Sequence, residues 1–334
     1  MESTTPLSAL YFQADHNPEG IALIAGRDLW SYRRLALAVE QVARALYTRG
    51  VRKGDRVALH MFNVPELAIA YFACFRVGAV AAPLNTRFKT TELRAALQRL
   101  QPSIYIGQAQ LHAALESVDT DMLSPHARYV LGEESGLGRS RPWSDLLESR
   151  TDTAPMEFPH TDSPAILLCT SGLTGLPSFV THTAATLTAT AQACGQMGLE
   201  RPHIAINMVP MVYASGLFGL LAGLRFGAIQ ILIERFDADT VLSAIERHYV
   251  TWLAGLPFMF VDLMRRQRAQ PRKVDSLEFC ATGSYVCPQK LQQEFPQVFG
   301  VPLRSVWAAA EVAWPGAAAG QVRATASRAT THIT

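Results

Sequence analysis

Apolar and polar positions along the chain fall into blocks with two periods. Short runs, at residues 21–24, 56–60, 79–83 and 103–106, are apolar enough to be strands buried on both faces. Between them the apolar positions recur at helical spacing. Tyr32, Leu35, Leu37, Val39, Val42 and Leu46 define a helix that opens at Ser31 and ends at Gly50, after a turn at 26–28. Asn63, Val64, Pro65 and Glu66 open a second helix over 67–77 that stops at Gly78, and a third covers 92–100. A stretch rich in Gly, Ser, Pro and charge, 132–164, reads as a linker. The alternation then resumes, with strands at 165–169, 204–208, 229–233, 251–255 and 277–281. Helices are expected at 184–197, 239–247 and 257–266. Strands alternating with helices at this interval predict an α/β protein with mostly parallel sheets flanked by helices.

A chain of 334 residues is long for a single core, which favours two lobes, 1–160 and 161–311. From Val312 to Thr334 the periodicity is lost. That stretch has seven Ala, four Thr and no acidic residue, and is expected to be disordered or foreign to the fold. With 49% hydrophobic and 17% charged residues the chain reads as a well-buried globular protein, and a net charge of +2 makes no case for a nucleic-acid partner. The nine histidines form no metal-binding cluster, and the five cysteines (Cys74, Cys169, Cys194, Cys280, Cys287) form no CxxC pair. Reduced, mostly buried thiols are expected. No apolar signal segment is visible at residues 1–20. The apolar run 208–224 is interrupted by Pro210, Tyr213, Ser215 and glycines, so no membrane span is expected and a cytoplasmic location is.

Candidate chemistry centres on residues 168–180, where a strand breaks into Thr170-Ser171-Gly172-Leu173-Thr174-Gly175-Leu176-Pro177-Ser178. A strand feeding a Gly/Ser/Thr loop can present backbone N–H groups and hydroxyls to phosphate. It is not a Walker A loop, since the GxxxxGK[ST] spacing is absent. On these residues alone two readings stand: a phosphate cradle, or an ordinary polar strand-to-helix turn.

The order of motifs resembles the N-terminal domain of the adenylate-forming enzymes, in the branch of acyl- and aryl-CoA synthetases. The resemblance rests on Trp30-Ser31-Tyr32-Arg33-Arg34-Leu35, Gly50 to Val57, Asn63-Val64-Pro65-Glu66, Gly78-Ala79-Val80, Pro83-Leu84-Asn85 and Glu92-Leu93, fold markers that appear in order and spacing. It covers residues 7–311. The loop at 170–178 stands where the family has TSGTTG-x-PKG. Thr170, Ser171, Gly172, Thr174, Gly175 and Pro177 agree, whereas Leu173 replaces a hydroxyl residue, Ser178 the lysine and Phe179 the second glycine.

The resemblance implies that this loop holds the β- and γ-phosphates of ATP, with Thr174 taking part in catalysis. Pro210 to Leu217 is similar to the family's PxxHxxG segment beside the acyl pocket, which makes Tyr213, Gly216 and Leu217 substrate-binding candidates; on residues alone, a core helix turn is an equal reading. No Asp stands there to hold an ammonium, so an acid without an α-amine is favoured. Gly283, Ser284 and Tyr285 occupy the place of the adenine-side GAP strand. Trp307 and Ala308 fall in the place of YGxTE, where Trp307 would stack on adenine and Glu311 would face the Mg²⁺ bound with ATP. Ala310 replaces the family's Thr, and Glu311 by itself reads equally as a solvated acid. The implied reaction has two halves, attack of a carboxylate on ATP and transfer of the acyl group to CoA. The ribose-binding YxTGD segment, the hinge and the mobile C-terminal domain do not appear in the 334 residues. The reading is therefore the N-terminal part of a fatty- or aryl-acid CoA ligase, weak or inactive as it stands. A non-catalytic nucleotide-, acyl- or partner-binding module is the alternative, and completion by a separate C-terminal chain a third.

Overall fold

The computed structural model of the protein describes residues 5–116, 123–133, 139–148, 160–170 and 177–306. Helix α1 (Pro6–His16) is fixed by a reciprocal cap in which Thr5 Oγ1 accepts from the Ser8 N–H at 3.0 Å and Ser8 Oγ from the Thr5 N–H at 2.9 Å. Then come β1 (Ile21–Ala25), β2 (Asp28–Ser31), α2 (Tyr32–Thr48), β3 (Arg56–His60) and α3 (Pro65–Val77). Pro65 sits at the first turn of α3, where its missing N–H costs nothing, and Gly78 ends the helix in the left-handed region. The chain continues through β4 (Val80–Pro83), α4 (Thr90–Leu100), β5 (Ile104–Gln108), the short α5 (His112–Glu116), β6 (Arg128–Leu131) and β7 (Arg141–Pro142). After β8 (Pro164–Thr170) and β9 (Ser178–Thr183) come α6 (Ala184–Cys194), β10 (Ile204–Asn207), α7 (Ala214–Arg225), β11 (Ile229–Leu232), α8 (Ala238–His248), β12 (Trp252–Gly255), α9 (Pro257–Ala269), β13 (Phe279–Thr282), α10 (Gln289–Phe299) and β14 (Leu303–Ser305).

The strands form two sheets, ordered β7-β6-β5-β3-β4-β8-β9 and β14-β13-β12-β10-β11-β1-β2. In each, one edge hairpin is antiparallel, β8–β9 or β1–β2, and the other pairings are parallel. The two sheets exchange edges. Residues 21–31 complete the sheet built from the second half of the chain, and residues 164–183 complete the sheet built from the first. Sheet membership thus crosses residue 160 in both directions.

Period-two alternation sorts the side chains into layers. Val57, Leu59, Ile106 and Ile166 from the first sheet, and Ala205, Trp252 and Ala281 from the second, share one core with α2, α3, α6 and α7. Ala58, Val80, Ala82 and Tyr105 face outward onto α4. Ile206, Ile231, Leu253 and Cys280 face outward onto α8, α9 and α10. The result is helix, sheet, helix, sheet, helix, with the central helical layer buried from both sides. α3 is accordingly buried all round apart from Glu66 and Arg76.

The structure corrects the sequence reading in four places. The segment after Thr170 is not a strand-to-helix turn: it returns as β9 and forms a hairpin with β8 before α6 begins. β9 hides in the sequence because His182, a polar residue, is its inward, buried position beside Val180. The expected turn at 26–28 is confined to 26–27, since Asp28 already begins β2, paired with β1; the helix does open at Ser31, whose hydroxyl accepts from the Arg34 N–H as the cap of α2. Part of the supposed linker is built into the fold, since β7 pairs with β6 and the following turn buries Trp143 and Leu146 in the central core. Elements at 6–16, 128–131, 289–299 and 303–305 were not named from the pattern. Residues 312–334 lie outside the described residues.

All five cysteines are free thiols. Burial pushes Cys194 and Cys280 up to about 12 and Cys169 to about 11, which leaves them protonated at neutral pH. Among the described residues no helix is long and apolar enough to cross a membrane.

Candidate functional site

In parallel sheets the ligand side is the carboxyl edge of the strands, where chain direction changes and backbone groups are free. In the first sheet that edge carries His60 at the end of β3, Pro83 at the end of β4 and Thr170 at the end of β8. In the second it carries Asn207, Gly255 and Thr282. The two edges are stitched together by hydrogen bonds. The Met211 N–H donates to Asn63 Oδ1 at 2.7 Å, and the Tyr71 hydroxyl to the Met211 carbonyl at 2.9 Å. Tyr213 Oη donates to Asn85 Oδ1 at 2.9 Å, and Gln108 Nε2 to Glu234 Oε1 at 3.1 Å. The loop 208–213 is therefore held by groups from the opposite sheet.

Thr170 and Ser178 face each other as the last and first residues of the β8–β9 hairpin. The chain thus leaves the sheet at Thr170 and re-enters it beside that residue at Ser178, and Arg99 donates to the Pro177 carbonyl at 2.9 Å. Ser171, Gly172, Thr174 and Gly175, with Leu173, lie outside the described residues. Ser178 places a half-buried hydroxyl at the mouth of the loop, and no charge.

Tyr213 caps α7 from an extended conformation and is half-buried. Burial raises its phenol, opposed by the Arg87 guanidinium and reinforced by Cys169 and Tyr285. Those electrostatic neighbours bring the hairpin, the 283–285 turn and the segment after β4 around one hydroxyl. Gly216 and Leu217 behave differently. A Cβ on Gly216 would stand 2.1 Å from the Pro210 carbonyl oxygen, so the glycine lets α7 sit on its own lead-in loop. Leu217 is fully buried in the central core. Neither is among the described residues lining the adjacent cleft; Ser215 and Gly219 take that place.

The cleft lies between α7 and the inner face of β10, β12 and β13 and opens to solvent. Gly283 and Ser284 line it. A Cβ on Gly283 would stand 2.7 Å from the Val306 carbonyl oxygen, and Ser284 follows at φ 65°, a left-handed turn that swings Tyr285 out to 70% exposure. Val306 lines the same cleft; Trp307, Ala308 and Glu311 lie outside the described residues. Asn207 spends its amide locally, donating to the Ser215 carbonyl at 2.8 Å and accepting from the Val209 N–H at 3.1 Å. No charged side chain is among the described lining residues, so the cleft suits an apolar ligand body. Among the described residues no cluster of His, Cys, Asp or Glu could hold a metal ion.

Asn63, Asn85 and Arg87 are the site residues that the sequence reading missed, having taken the first two as fold markers. The signal available was their position directly after the apolar strands β3 and β4. Behind them His60 is buried, with Nδ1 2.8 Å from Tyr105 Oη, and desolvation pushes the imidazole down to about 4. It is neutral at neutral pH.

A family model for AMP-binding enzymes matches residues 10–332. The medium-chain fatty-acid–CoA ligase of Escherichia coli K12 is 27% identical over 88% of this chain and 53% of its own length. The indoleacetate–CoA ligase of Aromatoleum aromaticum is 29% identical over 85% of this chain and 56% of its own. The chain thus spans about half the length of these curated relatives. Among solved structures, the anthranilate CoA ligase AuaEII in complex with anthranoyl-AMP superposes with a TM-score of 0.83 at 22% identity, over 91% of this chain and 59% of that one. The N-terminal domain of FACL13 from Mycobacterium tuberculosis superposes with a TM-score of 0.79 at 22% identity, over 92% of this chain and 76% of that one. At that identity the likeness shows the fold.

Proposed function

The chain belongs to the AMP-binding enzyme family, and from that premise we propose that it carries the acid- and ATP-binding part of an ATP-dependent acyl- or aryl-acid CoA ligase. The observation that supports this most is that Tyr213 lies within electrostatic reach of Cys169 on β8 and of Tyr285, the residue that follows Gly283 and Ser284 in the lining of an uncharged cleft. In the proposed reaction the carboxylate attacks the α-phosphorus of ATP, the α–β phosphoanhydride bond breaks, and acyl-adenylate and pyrophosphate form. A thiol, that of CoA, then attacks the acyl carbon and releases AMP.

In this reading residues 170–178 receive the β- and γ-phosphates through backbone N–H groups and the hydroxyls of Thr170, Ser171, Thr174 and Ser178. Gly283, Ser284, Tyr285, Trp307 and Ala308 form the adenine side. The cleft excludes water from the acyl group while Tyr213, held by Asn85, stands at its mouth. Mg²⁺, brought with ATP and faced by Glu311, would offset charge on the phosphate oxygens. Ser178 contributes no positive charge, so charge stabilisation at that position is weaker than a lysine would give. Adenylation and thioester formation at full rate require the equivalent of the relatives' remaining half, on the same polypeptide or on a separate chain. We place the activity in the cytoplasm, on small-molecule acids.

The second reading, a binding module without catalysis, is favoured by Ser178 itself, with Leu173 and Ala310. Equilibrium dialysis separates the two. A carboxylate-binding adenylating site should take up one equivalent of an acyl-sulfamoyl adenosine, a stable mimic of the acyl-adenylate, and lose it to competing ATP. A module that binds only nucleotide should take up adenosine sulfamate equally well without the acyl group.

A further inference from the structure

The strand wall of the cleft is built in two register layers. Asn207, Ala254 and Ala281 lie directly opposite one another on β10, β12 and β13 and line the cavity. Two residues deeper, the next layer is Ala205, Trp252 and Phe279, again in register. The small layer leaves space, and the large layer closes it. The Trp252 and Phe279 rings are parallel, 3° apart in plane with centroids at 6.2 Å. Phe279 is confined in turn: a Cβ on Gly198 would stand 2.8 Å from its ring, and the Arg304 guanidinium lies 4.7 Å from its centroid. Leu199, delivered by the π-turn Gly195–Leu199 that follows α6, and Cys194 line the same cleft as Trp252.

From this layering we propose that Trp252 is the floor of the acid site and that the site takes compact, ring-sized aryl acids in preference to long acyl chains; the inference rests on the adenylating reading above. From Phe279 to Gly283 at the mouth the strand rises four residues, roughly 13 Å at ~3.3 Å per residue, and the two rings fill its lower part. A fully extended twelve-carbon chain is longer than what remains. A single or fused ring fits between the flat Ala254–Ala281 wall and the helix face at Ser215 and Gly219, with its far edge against the Trp252 indole. The spent amide of Asn207 leaves no partner in that layer for an ammonium group, so amino acids are disfavoured.

The test uses the full chain and calorimetric binding of benzoyl-, octanoyl- and dodecanoyl-sulfamoyl adenosine. The benzoyl compound should bind at least about tenfold more tightly than the dodecanoyl one, the discrimination a few methylenes produce in a closed apolar pocket. Trp252→Ala should raise dodecanoyl affinity by about tenfold while leaving benzoyl binding equal or weaker. Should that variant fail to fold, Ala254→Leu fills the space above the floor, and must weaken benzoyl binding while sparing adenosine sulfamate. Dodecanoyl binding as tight as benzoyl in the unaltered chain, or an unchanged order in folded Trp252→Ala, overturns the size inference alone. Absence of binding by all three compounds and by ATP overturns the adenylating reading as well.

Discussion

The hydroxyl of Tyr213 donates to Asn85 Oδ1 at 2.9 Å, joining residues 128 apart in sequence and belonging to opposite sheets. The same oxygen accepts from the Arg87 N–H at 2.9 Å. Asn85 thus holds the turn after β4 and the lead into α7 in one relative position, beside the end of β8. A neutral hydrogen bond of this kind contributes about 1 kcal/mol. Tyr213→Phe and Asn85→Ala should each weaken binding of a benzoyl-adenylate mimic about five- to tenfold. Their effects should not add, with a coupling of about 1 kcal/mol in a double-mutant cycle read by calorimetry. Additive losses would show that the contact does not position the site.

Ser178 stands across the hairpin from Thr170, at the mouth of the candidate phosphate loop. A lysine there would add a charge-assisted donor to the phosphates. Ser178→Lys should therefore tighten ATP binding about tenfold at low salt, with part of that gain lost at higher ionic strength. Weaker or unchanged ATP affinity, measured by equilibrium dialysis, would remove residues 170–178 from the phosphate site.

His60 makes stability depend on pH. Its folded value, about 4, lies below its ordinary 6.5 because burial penalises the imidazolium. Between those values the unfolded chain binds more protons than the folded one, so stability falls as pH drops from 6.5 towards 4. The loss at pH 5 relative to pH 7.5 should be about 2 kcal/mol from this one group. Urea denaturation of the unaltered chain and of His60→Gln at the two pH values tests this. The variant should be less stable at pH 7.5 yet lose less on acidification, and parallel losses would contradict the assignment.

Gly216 lets α7 pack closely on its own lead-in loop. An alanine there would place its Cβ 2.1 Å from the Pro210 carbonyl oxygen. Helix propensity alone would favour alanine by about 1 kcal/mol. The clash should outweigh that, so Gly216→Ala should lose roughly 2 kcal/mol in denaturant unfolding. A stabilised variant would show that α7 does not need its close approach to 209–210.

What the chain's pattern revealed follows from burial. Strands β3, β4 and β8 are covered on both faces and read as plain apolar runs. α2 has one buried face and reads as a helix. β9 does not stand out in the sequence because Thr181 and Thr183 alternate with Val180 and a buried histidine. The exchange of edge hairpins between sheets leaves no local mark, since β1 and β8 carry the same apolar pattern as their neighbours. The roles of Asn63 and Asn85 were illegible for a related reason. An asparagine after a strand looks like a turn residue, and only the folded chain shows its amide oxygen meeting Met211 or Tyr213. Trp252 likewise reads as core, and becomes the cleft floor once Ala205 and Phe279 are seen in register with it.

An acid-adenylating site at the cleft and hairpin should exchange labelled pyrophosphate into ATP. The chain would be assayed alone and with Ser178→Lys, across benzoate, octanoate and dodecanoate. Slow exchange that depends on added acid is expected, highest with benzoate and faster in the lysine variant. Exchange that ignores the acid, or its absence in both proteins when each is supplemented with a C-terminal domain of a related ligase, would contradict an adenylating site there.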